Sequence, residues 1–374
     1  MSVVRGSLEG VVAVAEPEPE ITSAVKLCDS RGRLLAGSVG WSRHPLHICN
    51  VTGHPLRKKK WDYWCVTSDR CLFSVTLSNI DYMGLAFAYF LDFETRRFIE
   101  QTVMTPLGKG CVLPATVGEN IAFRHRKLNL SFTREEGGND AAESTASAGG
   151  AAGGTRSATR TRLRVESPDF GGVPFRADIL VTRPEGHETL NVVIPWSRRR
   201  FQFTSKQNAM PAAGSVILGK ETFTFAPGTA YACLDFGRGV WPYASFWNWA
   251  SASGRTDGHV VGLNLGAGWT DGTGMTENGL TVDGRLTKLG EDVEFLYDPA
   301  DFTRPWTIRT KGSDRVDLRF DPFFERVAKT DLLILRSEVH QLIGRFTGTV
   351  TAAGGLRVAV EGLIGWAEEH RARW

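Results

Sequence analysis

A chain of 374 residues with 42% apolar, 10% aromatic and 23% charged side chains has the material for two cores, the natural division at this length. Forty-four basic against forty-one acidic residues leave a formal charge of +3, which removes the electrostatic case for nucleic acid as the main partner. No run is apolar enough for a membrane-crossing helix, and the opening residues lack the basic start and sustained apolar stretch of a secretory signal. A cytoplasmic protein with no integral membrane segment is therefore expected.

Residues 1–25 read as a flexible N-terminal segment ahead of a first domain over 26–200. From Trp61 onward, short aromatic and β-branched runs alternate with turn residues at the spacing of an all-β sandwich or barrel, and helical periodicity is nearly absent. Runs at 61–67, 71–78, 85–92 and 98–103 predict a four-strand meander. Further strands are expected at 120–126, 128–134, 160–166, 175–182 and 189–194. The Gly/Ala/Ser tract at 135–158 has too little apolar mass to repay ordering and predicts a disordered hairpin tip. The boundary is placed at 195–210, with a second domain over 201–374. Its strands are predicted at 222–225, 230–236, 244–251, 260–265, 278–282, 285–297, 306–311, 315–320, 332–337, 339–351 and 356–366. Asp283-Gly284 is the two-residue hairpin signal, because a primed turn needs positive φ at its centre. Short links between consecutive antiparallel strands suit up-and-down barrels, whose closure removes exposed edges.

Six cysteines show no close-paired metal spacing and sit in apolar strand patterns, where Cys packs as a small hydrophobe. The basic runs Arg57-Lys58-Lys59-Lys60 and Arg198-Arg199-Arg200 read as solvated turns flanking strands. In WPYASFWNWASASG, alternation places Tyr243, Ser245, Trp247 and Trp249 on one strand face; with Trp241 they form either core packing or a stacking wall for a flat ligand. The following LNLGAGWTDGTGMTENGLTVDG supplies Asn264 and Asn278 as polar ligand contacts. Its glycines open no helix, so it lacks the phosphate-binding physics of a dinucleotide loop. Glu277, if it faces an apolar interior, gains a raised pKa and becomes a candidate general acid; a buried hydrogen bond or ion pair is the plainer alternative. Asn278, one residue on, faces the other way. Asp235 and His340 are further candidate proton donors, with a salt bridge to Arg238 and a hydrogen-bonded core histidine as their structural alternatives. Glu368-Glu369-His370 brings more polar groups near the end, without metal spacing, and no nucleophile elbow or Ser/His/Asp triad is present.

The stretches RKKKWDYWCVTSDRCLFSVTLSNIDYMGLAFAYFLDFET, LDFGRGVWPYASFWNWASASG, GLNLGAGWTDGTGMTENGLTVDGRLTKLG and VHQLIGRFTGTV…GLIGWAEEHRARW resemble an uncharacterised bacterial domain-of-unknown-function family from about Gly40 to Trp374. That family is distantly similar to the two-domain lipocalin-like group of carotenoid hydratases, tocopherol cyclases and decalin-forming cyclases. The resemblance implies two lipocalin-like antiparallel β-barrel or sandwich domains and a cavity that takes a lipid, isoprenoid or polyene-like molecule without a cofactor. Two functions stay open: a cofactor-independent hydratase, isomerase or cyclase using Glu277, His340 or Asp235, and a non-catalytic carrier or structural protein.

Overall fold

The computed structural model describes residues 18–135, 158–332 and 335–374. Among the described residues there is no α-helix, only two 3-10 turns at Ala36–Ser38 and Ala353–Gly355. The first fifteen strands are β1 (Val25–Lys26), β2 (Trp41–Ser42), β3 (His47–Ile48), β4 (Lys58–Thr67), β5 (Cys71–Asn79), β6 (Met83–Asp92), β7 (Phe98–Pro106), β8 (Ile121–His125), β9 (Leu128–Glu135), β10 (Thr159–Ser167), β11 (Phe175–Arg183), β12 (Leu190–Ser197), β13 (Arg200–Leu218), β14 (Glu221–Phe225) and β15 (Tyr231–Val240). The remaining nine are β16 (Ala244–Thr256), β17 (His259–Ala267), β18 (Asn278–Val282), β19 (Arg285–Leu289), β20 (Val293–Leu296), β21 (Trp306–Thr310), β22 (Val316–Leu332), β23 (Leu335–Thr351) and β24 (Arg357–Arg373).

The predicted meander forms as β4 to β7, and its hydrogen-bonded path runs β7-β6-β5-β4-β15-β13-β11-β10-β9-β8. The nineteen-residue β13 is the hinge of this sheet. Its first half lies between β12 and β15, and its second between β11 and β14. The change of neighbours falls at a bulge between Gln207 and Met210, where Ala209 has φ +57°. A bulge sharpens local twist, so one strand turns the corner between two layers. The core between them is packed with Phe73, Phe90, Phe132, Phe175, Phe203 and Phe223.

The last nine strands form an up-and-down sheet in the order β19-β18-β17-β16-β24-β23-β22-β21-β20. Pairing of β16 with β24 joins the two ends of this domain, leaving only β19 and β20 without a ladder between them. Its interior is filled by Leu263, Leu265, Trp306, Ile308, Phe320 and Phe346, each at most 1% exposed. Asp283 and Gly284 have φ +47° and +79°, the primed turn read from their sequence.

Two expectations move. The domain change expected at 200/201 lies between Val240 and Ala244, because β13 and β15 pair into the first sheet. Ser197 to Arg200 is a tight turn between β12 and β13, so a turn signal was read as a linker; the link itself is Trp241-Pro242-Tyr243. The described part of the segment expected to be flexible, from Glu18, is packed: Trp41 Nε1 donates to the Glu18 carbonyl at 3.1 Å and the Glu18 carboxylate pairs with Lys288 at 2.5 Å. The expected hairpin tip lies almost wholly outside the described residues.

Candidate functional site

Strand parity builds a polar face on the first domain. On β13, Gln202, Thr204, Lys206 and Asn208 alternate and all are buried. Lys206 sits opposite Asp235 of β15, which in turn sits opposite Tyr63 of β4. The second domain answers with Trp247, Trp249 and Ser251 of β16, Trp366 and Glu368 of β24, and Glu277 just before β18. Asn208 Nδ2 crosses the junction to Ser251 Oγ at 2.7 Å and the Leu263 carbonyl at 3.0 Å.

The centre of this junction is one cation between two carboxylates. Lys206 Nζ lies 3.1 Å from Asp235 Oδ1 and 3.1 Å from Glu277 Oε2, and 4.3 Å from the centre of the Trp249 ring. Asp235 also accepts from Thr204 Oγ1 at 3.0 Å and Trp61 Nε1 at 3.1 Å. Glu277 accepts from Trp269 Nε1 at 2.5 Å. Gly266 makes room for it: a Cβ there would stand 2.0 Å from Glu277 Oε1. Two carboxylates sharing one ammonium leave a net negative charge out of water, so burial raises the Glu277 pKa while the two carboxylates together raise that of Lys206. The arrangement can hold a proton on a carboxyl group beneath indole faces.

A second chain of contacts adjoins it. Tyr63 and Tyr89 hydroxyls are 2.9 Å apart, Tyr89 donates to Gln341 Oε1 at 2.8 Å, and Gln341 Nε2 donates to Glu368 Oε2 at 3.2 Å. Trp247 Nε1 donates to Glu368 Oε1 at 3.1 Å. Burial pushes the Glu368 carboxyl up to about 7, against the opposing pull of Trp247 and Lys206. Beside these groups, Trp241 stacks on Trp269 at 5.0 Å and touches Trp61, Trp196, Trp247 and Trp374.

The structure thus brings together Glu277, Asp235, Trp241, Trp247, Trp249 and Asn264, whose amide accepts from Trp249 Nε1 at 2.9 Å and donates to the Glu277 carbonyl at 2.7 Å. It does not bring in the other three candidates. Tyr243 lies in the link ahead of β16 and is 51% exposed. Asn278 braces backbone, accepting from Gly266 N–H at 2.7 Å and donating to the Glu291 carbonyl at 3.0 Å. His340 faces away from Gln341 by parity and sits in a separate cleft of about 530 Å³, between Glu325 at 2.7 Å and Glu338 at 3.0 Å. The Asp235–Arg238 pair also fails, because an odd spacing puts the two on opposite faces of β15. Arg238 instead bonds Asp62 at 2.7 Å, with the carboxyl pushed up to about 6 by burial. All six cysteines are free and buried. Among the described residues no group of three or more His, Cys, Asp or Glu is arranged to hold a metal, and no helix is long and apolar enough to cross a membrane.

Sequence reasoning missed Lys206, Glu368 as a site residue, and the Tyr89–Gln341 bridge. The alternating polar residues Gln202, Thr204, Lys206 and Asn208 were the available signal, hidden because that stretch was read as a boundary.

Fold and site together define a two-domain, antiparallel all-β protein with acid and base groups buried where the domains meet. The chain belongs to the family described as domain of unknown function DUF2804, whose profile matches residues 18–374. Solved structures similar to it include a candidate AttH from Nitrosomonas europaea, 13% identical over 84% of this chain and 92% of that one, with a TM-score of 0.46. Kievitone hydratase from Nectria haematococca is 10% identical over 96% and 97% of the two chains, TM-score 0.43. CghA with Sch210972 is 10% identical over 85% and 89%, TM-score 0.42. No curated protein matches the chain by sequence.

Proposed function

We propose that this chain binds a small apolar, unsaturated molecule between its two domains and moves a proton to or from it, with Glu277 as the acid. The observation that carries this reading is Lys206, held between Asp235 of one domain and Glu277 of the other beneath the face of Trp249. A structural ion pair needs one partner of each sign, whereas a second carboxylate leaves a proton to be shared. Because burial raises Glu277, it suits donation to a double bond, and the face of Trp249, which already holds the Lys206 ammonium, suits the positive carbon that follows. The interior of the second barrel is occupied by its own side chains, and the first domain leaves a cleft of only about 180 Å³ beside Trp64, Met210 and Leu234, which favours the junction as the ligand's place. The side chains of Lys206 and Glu277 are 5% and 1% exposed, so a ligand enters by displacing part of the indole wall. The segment that holds Trp269 and Glu277 is rich in positive-φ glycines, Gly268, Gly272 and Gly274, and is the natural part to move.

A carrier without chemistry is the second reading, favoured by how completely Asp235 is partnered by Lys206, Thr204 and Trp61. Mass spectrometry of small molecules extracted from the purified protein names the ligand, and incubation with it separates the readings. The enzyme converts the ligand, and Glu277→Gln abolishes conversion. Return of the ligand unchanged, or full conversion by Glu277→Gln, sinks the acid role.

A further inference from the structure

The two basic runs meet at one end of the first domain. Lys58 at the start of β4 pairs with Val240 at the end of β15, which pairs with Phe201 beside the β12–β13 turn. The β5–β6 turn and the segment after β7 reach the same end: Asp81 Oδ2 accepts the amide hydrogens of Arg57 and Lys58, and Leu107 N–H donates to the Tyr82 carbonyl.

The charge of this end is one-sided. Of the first run only Arg57 is exposed, since Lys58 pairs with Asp81 at 3.1 Å and Lys59 is 1% exposed. Arg198 and Arg199 are exposed beside half-buried Arg200, and Lys109 is exposed after β7. Burial, then the like charges of Arg57 and Arg199, hold the Arg200 guanidinium below its ordinary range, as expected for cations gathered in one place. The acids here are Asp81, committed to Lys58, and Asp29, 4.0 Å from Arg198. Among the cations stand bare apolar tips: Leu56 is 57% exposed, Leu107 72% and Val112 76%. Leu56 and Leu107 have φ of +60° and +51°, a strained backbone for leucine that holds each side chain on a turn.

Exposed apolar groups and guanidinium groups spread along one end of a sheet suit a layer that offers hydrocarbon beneath negative headgroups. We propose that this end docks the protein on an anionic lipid surface. Docking turns Tyr243 and the Trp374 side of the tryptophan cluster toward the lipid, so that an apolar ligand can pass to the junction; that last step rests on the function proposed above, and the docking does not.

The test floats the full chain, as purified, through a density gradient with liposomes of equal parts phosphatidylglycerol and phosphatidylcholine, or of phosphatidylcholine alone. The protein rises with the acidic liposomes only, and added salt releases it. Arg57→Gln, Arg199→Gln and Arg200→Gln together weaken partitioning roughly a hundredfold, at about fivefold per charge. Leu107→Ser with Val112→Ser weakens it at every salt concentration. Arg124→Gln, Arg126→Gln and Lys127→Gln, at the hairpin level with the far end of β13, leave it unchanged. Failure to float, equal flotation on neutral lipid, equal loss in both charge variants, or retention on a DNA duplex in place of liposomes overturns the proposal.

Discussion

Replacing Glu368 by Gln separates a buried acid that must be protonated from one that need not be. The carboxyl titrates near pH 7 in the folded chain against an ordinary value of 4.5, because burial disfavours its charge. Below pH 4.5 both folded and unfolded chains hold the proton. Between 4.5 and 7 only the folded chain does, so this group's contribution to stability falls as pH rises through that window. The full difference is about 3 kcal/mol, from 1.36 kcal/mol per pH unit of separation. Gln resembles the protonated acid: each keeps one oxygen to accept from Trp247 Nε1 and puts a donor where Gln341 Nε2 now donates, so in both the Gln341 amide must turn its oxygen toward residue 368. Glu368→Gln should therefore match the parent at pH 5, within about 1 kcal/mol for an altered hydrogen bond, and exceed it by about 3 kcal/mol at pH 8. Urea unfolding at each pH gives both curves. Parallel curves from pH 5 to 8 would refute the raised pKa and the burial argument beneath it.

Lys206→Met leaves Asp235 and Glu277 buried without their cation and should cost about 3–5 kcal/mol in urea unfolding. Adding Glu277→Gln should restore more than about 1 kcal/mol of that loss, since the two side chains touch. Arg238→Met strands Asp62 and should cost a similar amount, about 3–5 kcal/mol, more at pH 8 than at pH 5 because the abandoned carboxyl can then take up a proton. Gly266→Ala drives a methyl group against Glu277 Oε1, costs about 1–3 kcal/mol, and alters Trp269 fluorescence by breaking its bond to Glu277.

What was legible in the chain is what local chemistry decides. Asp283-Gly284 announced its hairpin because only a few residues accept positive φ, and the β4–β7 meander followed from alternation between turns. The aromatic face of Trp247 and Trp249 was also readable, but not that it turns outward to the first domain while Ala250 and Ala252 fill the barrel. Parity fixes which residues share a face; it does not say which face meets which neighbour. The Lys206 contacts to Asp235 and Glu277 join three distant parts of the chain, and nothing around any one of them reveals the others. The Asp235–Arg238 pair failed for the opposite reason, since a spacing of three already puts the two side chains on opposite faces of β15.

The central claim is that the ligand lies between the domains. A crystal structure of the chain with the molecule extracted from it tests this most directly. The account places that molecule against Trp247, Trp249 and Trp269, within reach of Glu277. Density instead inside either barrel, or in the cleft beside His340, would contradict it.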